Sequence, residues 1–205
     1  MPRITKISPQ KNKKRVNVYL DGKFAFGLPT ETLVEVGLAV GQELSEKETE
    51  ALIFKNEFQK LLDRAYHFLS FRPRSEKEIK DFLKKKGVTE KISEKIIKKL
   101  KKLGYLNDLE FTSWWIEQRN LFRPRGKIAL KMELRQKGVD QEIASQVIEK
   151  KVDELPLAKK AAQRKMKAYK NLPPREFYQK MAAFLSRRGF SWSTIKMALE
   201  EIIKK

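Results

Sequence analysis

Arg72-Pro73-Arg74 opens a stretch that closes on Lys86-Gly87-Val88, and the same frame returns 51 residues later as Arg123-Pro124-Arg125 and Lys137-Gly138-Val139. Arg188-Gly189-Phe190 stands at the same shift again. Between these anchors the apolar positions keep step. Ile79, Leu130 and Met181 form one set, and Leu83, Leu134 and Leu185 form another. Register held over three copies predicts a tandem array of one small unit, each copy burying its apolar side against a neighbour. Function then belongs on a surface spread across the units.

Outward from these anchors the periodicity is helical. A first helix is expected from Glu46 to about Ser70, with Leu52, Phe58, Leu61, Leu62, Ala65, Phe68 and Leu69 on its apolar side. Ser75-Glu76-Lys77-Glu78 reads as a capping box: the serine caps the next helix and Glu78 reaches back to its start. That helix ends at Gly87, and Thr89 caps a third. In the second copy Asn107 with Glu110 and Asp140 are the caps, and the middle helix spans Ile128–Lys137. In the third, a helix from Leu157 to Leu172 precedes one that Pro173-Pro174 starts, where proline is favoured.

Residues 1–28 read differently. Ile4 and Ile7, then Val16, Val18 and Leu20, then Phe24, Phe26 and Leu28 follow a period of two, with Asp21-Gly22 marking a tight hairpin turn. A short helix from Glu31 to Val36 stops at Gly37. The expected fold is mainly α: three tandem three-helix repeats, nine helices in an elongated curved array, behind a small N-terminal β-hairpin module. The expected domains are residues 1–50, 51–107, 108–153 and 154–205.

The absence of cysteine rules out a disulfide framework and thiolate metal sites, and the single histidine, His67, leaves little for zinc or general-base chemistry. Gly126-Lys127 lacks the upstream glycine of a phosphate loop, since position 121 is leucine. No catalytic residues, metal ligands, cofactor or small-molecule substrate are expected. The start lacks a signal-peptide stretch and no run reaches membrane-spanning length, so a cytoplasmic protein with no membrane partner is expected.

The formal charge is +20, from 46 Lys+Arg against 26 Asp+Glu, and it is uneven. Residues 51–107 and 154–205 each carry net +9; residues 1–50 and 108–153 each carry +1. A heat-stable Lys/Glu surface predicts paired charges and leaves that surplus unexplained, whereas attraction to a polyanion such as nucleic acid explains it. Candidate contacts are Arg72, Arg74, Arg123 and Arg125, with Lys84, Lys85 and Lys86, Lys127, and Arg187 and Arg188. For the Arg-Pro-Arg arginines two readings stand: forks for phosphate or carboxylate, or clamps on neighbouring helix ends. Lys11, Lys13, Lys14 and Arg15 are either a phosphate-contacting arm or a solvated loop. Trp114, Trp115 and Trp192 suit base stacking or, at helical spacing, helix packing.

Leu69-Ser70-Phe71-Arg72-Pro73-Arg74-Ser75-Glu76-Lys77-Glu78, Gly104-Tyr105-Leu106-Asn107-Asp108 followed by Phe111, and the Lys-Gly-Val helix ends resemble the RecX family of recombination regulators. The resemblance covers about residues 60–205 and is looser in the third copy, where Pro174-Arg175 has slipped one place. It implies tandem three-helix units and a non-enzymatic modulator of the RecA recombinase. Its implied partners are the RecA filament and DNA, single-stranded and also double-stranded, with ATPase, strand exchange and co-protease activity restrained. A competing expectation is a basic architectural protein that binds DNA without RecA. Reversing Arg72, Arg74, Arg123 and Arg125 to glutamate is expected to weaken filament binding while helical content survives.

Overall fold

A computed structural model describes residues 1–11 and 13–203. It holds three strands, β1 (Ile4–Pro9), β2 (Arg15–Leu20) and β3 (Lys23–Pro29), and ten helices. These are α1 (Thr30–Val36), α2 (Glu46–Ser70), α3 (Glu76–Lys85), α4 (Glu90–Lys102), α5 (Asp108–Phe122), α6 (Lys127–Gln136), α7 (Gln141–Lys151), α8 (Glu154–Met166), α9 (Pro174–Arg187) and α10 (Trp192–Ile203). The fold is mainly helical, as the periodicity predicts. The chain divides into two compact units, Met1–Phe68 and Leu69–Lys205.

In the first unit the strands form an antiparallel sheet in the order β1-β2-β3. Val16 faces Leu28 and Val18 faces Phe26 across β2 and β3, and these four join Ile4, Leu38 and Leu44 in a core against which Leu52 of α2 packs. Asp21 and Gly22 both have positive φ, +48° and +76°, which the tight turn between twisted strands requires. A register shift between Val18 and Tyr19 interrupts the alternation. Phe24 therefore lies 60% exposed, its ring edge-on to Tyr19, and leaves the apolar face to which its period assigns it.

In the second unit all six side chains that keep step in the sequence are fully buried: Ile79, Leu130 and Met181, Leu83, Leu134 and Leu185. Helices α5, α6 and α7 enclose one core around Phe111, Ile116 and Leu130. Helices α8, α9 and α10 enclose another, where Ala158, Ala161 and Ala162 leave room for close approach of α10 at Ala198. Leu157 packs against both cores. The first helix of the third copy runs from Glu154 to Met166, not from Leu157 to Leu172. Its earlier start follows from Asp153, whose carboxylate accepts the Leu155 N–H, and its earlier end from a series of tight turns at Ala168 and Tyr169.

The middle helices α3, α6 and α9 join end to start. The Lys137 carbonyl at the end of α6 accepts the Ser75 hydroxyl at the start of α3, at 2.7 Å. At the next joint the Arg188 carbonyl accepts the Gly126 N–H at 3.0 Å and the Gly189 carbonyl accepts that of Ile128 at 3.2 Å. Helix ends carry unsatisfied carbonyls and helix starts unsatisfied amides; the second joint pairs the two directly, while the first satisfies a carbonyl with a hydroxyl, and both align the two dipoles. An acid at the start of the next repeat's first helix, α5 or α8, completes each start. The Asp108 carboxylate accepts the Glu76 N–H at 2.9 Å, and that of Glu154 accepts the Lys127 N–H at 2.7 Å.

The second joint leaves no room for a side chain. A Cβ at Gly126 would stand 2.1 Å from the Gly189 carbonyl oxygen, whereas nothing lies within 4 Å of one at Gly87. Gly126→Ala is expected to lower stability by about 2–4 kcal/mol, as overpacking against rigid backbone does. Gly87→Ala meets only left-handed strain of about 1 kcal/mol. Thermal melting followed by circular dichroism separates the two; equal shifts would place the joint elsewhere.

Candidate functional site

At the first joint Arg72 and Glu78 form a bidentate pair, both bonds 2.9 Å, and Lys137 adds a third bond to Glu78 at 2.8 Å. The capping box is thus half made. Ser75 accepts the Glu78 N–H at 3.2 Å, but the Glu78 carboxylate turns to the two cations, because charge-assisted bonds outweigh one to a neutral N–H. Thr89 occupies its expected cap position without a side-chain bond, while Asn107 and Asp140 both cap. Burial pushes the Glu78 carboxyl up, yet Arg72 and Lys137 outweigh it and hold the group at about 2.

Beside this pair Arg72 lies over Trp114, 5.5 Å from its centroid. Arg119 and Lys137 stand over Trp115 at 4.5 and 5.0 Å. The Trp115 indole N–H donates to Glu133, which also accepts from Arg119 at 2.7 Å and pairs with Arg125 at 3.2 Å. Both tryptophans therefore serve packing. Trp192 departs from that reading: it is 64% exposed at the start of α10.

At the second joint four arginines gather. Arg164 donates to the Phe122 and Leu121 carbonyls at 2.6 and 3.1 Å, and Arg188 donates to the Pro124 carbonyl at 3.2 Å. Burial first, then the positive charges of Arg125, Arg123 and Arg164, lower the proton affinity of Arg188. Glu133 is the carboxylate that pairs with Arg125; Arg123 is exposed, with no side-chain partner among the described residues. Arg188 also stacks on Phe184 at 4.8 Å. Clamping of helix ends thus occurs here, performed by Arg164, by Arg188 and by Lys160, which donates to the Asn120 carbonyl.

The sequence candidates therefore fall into two groups. Arg72 and Arg125 hold carboxylates, Lys127 pairs with Glu149, and Arg74 is half-buried, its proton affinity lowered by burial and by Arg72 against an opposing effect of Glu78. Lys84, Lys85, Lys86, Arg123 and Arg187 are exposed; Lys86 lies 5.9 Å from the Phe82 centroid, and no carboxylate pairs with any of the five among the described residues. Lys84–Lys86 end α3, while Arg187 and Arg188 end α9 beside Arg123, so the basic groups form two patches. Arg164 is the addition the sequence did not single out, since nothing in the period marks it. In the other unit, Arg15 is taken up by the Gly27 carbonyl and by the buried Asn56 at 2.6 Å, which leaves Lys11 and Lys13 exposed in the loop beside it.

Comparison with known proteins decides the family. A model described as the regulatory protein RecX N-terminal domain matches residues 2–45, and models for the first, second and third RecX three-helix domains match residues 62–100, 107–148 and 152–199. The regulatory protein RecX of Bacillus pumilus is 38% identical over 98% of this chain and 78% of its own length. The chain belongs to the RecX family. The RecX of Bacillus subtilis is 35% identical over the same shares, and that of Listeria monocytogenes serotype 4a is 37% identical over 97% of this chain and 75% of its own. A crystal structure of a regulatory protein RecX, 31% identical, superposes with a TM-score of 0.77 over 98% of this chain and all of that one. RecX from Lactobacillus salivarius, at 24% identity, shares the fold with a TM-score of 0.66 over 74% of this chain and 99% of its own. The N-terminal sheet module belongs to the family too, where the resemblance alone reached residues 60–205. This RecX-family chain is thus of a regulatory kind, and no helix among the described residues is long and apolar enough to cross a membrane.

Because Glu78 sits far below the ordinary glutamate value, its bonds stabilise the fold above about pH 4 and are lost as pH falls toward 2. Glu78→Gln is expected to lower stability at pH 7 by about 1–3 kcal/mol, since Arg72 and Lys137 lose their carboxylate. It should also flatten the fall in stability between about pH 4 and pH 2. Melting curves across that range check both; an unchanged acid slope would remove Glu78 as its source.

Proposed function

We propose that this chain is a non-catalytic regulator that binds the RecA–DNA filament through its two exposed basic patches and restrains ATP hydrolysis, strand exchange and co-protease activity. The observation that carries the reading is the division of its charge. Arg72 and Arg125 are consumed by internal carboxylates, while Lys84–Lys86, Arg123 and Arg187 are exposed without them. A guanidinium cluster left short of carboxylates suits phosphate oxygens or an acidic protein surface. Membership of a regulatory family and the family resemblance to RecA modulators support RecA as the partner. The repeats 51–107, 108–153 and 154–205 are the proposed contact modules, with cytoplasmic DNA repair and the SOS response as the setting.

The contact set differs from a reversal of all four Arg-Pro-Arg arginines. Glutamate at 72 would face Glu78, and glutamate at 125 would face Glu133, so those two changes damage the frame. The clean test reverses Lys84, Lys85, Arg123 and Arg187, all exposed. Added well below the RecA concentration, the unaltered chain is expected to lower the DNA-dependent ATPase of preformed RecA filaments. The folded quadruple variant is expected to lose about tenfold or more of that potency, with a shallower salt dependence of DNA binding. No effect on filaments, together with tight salt-dependent binding to bare DNA, would favour the architectural reading.

A further inference from the structure

The middle helices end in one way three times, and two of the ends are occupied. At the end of α6 the Lys137 carbonyl takes the Ser75 hydroxyl, and Lys137 Nζ takes Glu78, the third residue of α3. At the end of α9 the Arg188 and Gly189 carbonyls take the amides of Gly126 and Ile128. The end of α3 has the same build. Lys86 stands in the place of Lys137 and Arg188, and Gly87 has φ +74° where Gly138 and Gly189 have +76° and +78°. Yet Lys84, Lys85, Lys86 and Gly87 are exposed, and no atom lies within 4 Å of a Cβ at Gly87.

The other free terminus of the stack is the start of α9, and it is blunt. Ser75 and Gly126, which supply the donors at the two joints, are the N-cap residues of α3 and α6. At α9 that position is Pro173 and the next is Pro174, both exposed and neither with an N–H. The amide that Asp108 and Glu154 take at the other two starts is missing as well. Glu176, in contrast, stands third in α9 as Glu78 stands third in α3.

We infer that the open end of α3, Lys84 to Gly87, is a docking socket for a helix N-terminus on a partner protein. That partner helix carries a hydroxyl or amide donor at its cap and a carboxylate in its first turn. Its donor meets the Lys86 carbonyl, as Ser75 meets that of Lys137, and its carboxylate meets Lys86 Nζ, as Glu78 meets that of Lys137. The three lysines supply the complementary charge. Pro173-Pro174 is the device that keeps a second copy of this chain from filling the socket. The inference stands on the joints alone and holds whether or not RecA presents such a helix.

The test gives the free start what it lacks. Pro173→Ser with Pro174→Glu copies Ser75-Glu76 onto a position where Glu176 already supplies the carboxylate, and serine is a favoured cap, so folding is preserved. Sedimentation velocity of the full chain reads the result. The unaltered protein is expected to show no Lys86-dependent association. The double variant is expected to grow head to tail in multiples of one chain as concentration rises, and adding Lys86→Glu should weaken that growth about tenfold or more. A double variant that stays a single chain, or that associates regardless of Lys86→Glu, overturns the socket. Association of the unaltered chain that Lys86→Glu removes overturns the role of the prolines.

Discussion

The contact on which the second unit depends is backbone against backbone at the meeting of one middle helix with the next. A Cβ on Gly126 would meet the Gly189 carbonyl and one on Gly189 would meet Ala129, so neither could be carried, and the Gly126 amide donates to the Arg188 carbonyl. The joint at Ser75 and Lys137 reaches the same end with a hydroxyl, while Lys77 stands where a Cβ on Gly138 would fall. At both joints a carbonyl that a helix end leaves unsatisfied gains a donor, and at the second that donor is itself a helix-start amide, so joining the repeats removes a desolvation cost. Everything around the joints follows from keeping these ends in place: the acids at Asp108 and Glu154, the clamp of Arg164 on α5, and the ion pairs of Glu78 and Glu133.

That frame decides which charges are free. A surplus of twenty positive charges is not spread evenly over the surface, because part of it is committed to the joints. Arg72 and Lys137 share Glu78, and Arg119 and Arg125 share Glu133, so two carboxylates hold four cations within the stack. Of the candidate contacts, those that remain outward lie at the end of α3, Lys84–Lys86, and near the end of α9, Arg187 and Arg123. The regulatory reading rests on this separation between cations that hold carboxylates inside the protein and exposed cations that no carboxylate pairs with among the described residues.

Most of the architecture was legible in the chain because its cause is periodic. The six buried side chains at the 51-residue shift, the glycine at each middle-helix end and the paired strands around Asp21-Gly22 each follow from local chemistry repeated in register. The site was less legible, since its determinants do not repeat. In the first Arg-Pro-Arg the leading arginine is paired, in the second the trailing one, because Glu78 and Glu133 sit at different places in their helices. Asp108 and Glu154 do the same work but are 46 positions apart, outside the period, so no alignment of the copies on 51 would match them. Phe24 strayed for another reason: a register shift in the sheet changes the face a side chain takes without changing its neighbours in sequence.

Joints made mainly from main-chain atoms have a further consequence for how the copies can differ. A carbonyl and an amide are present whatever side chains surround them, so apart from the glycines, the Ser75 hydroxyl and the acids at each start the connection makes few demands on residue type. The copies can then diverge widely on their outer faces while remaining couplable, which is what the net charges of +9, +1 and +9 record. The array behaves as a rack whose fittings are standardised and whose panels are interchangeable, and the specialised panels sit at its two ends.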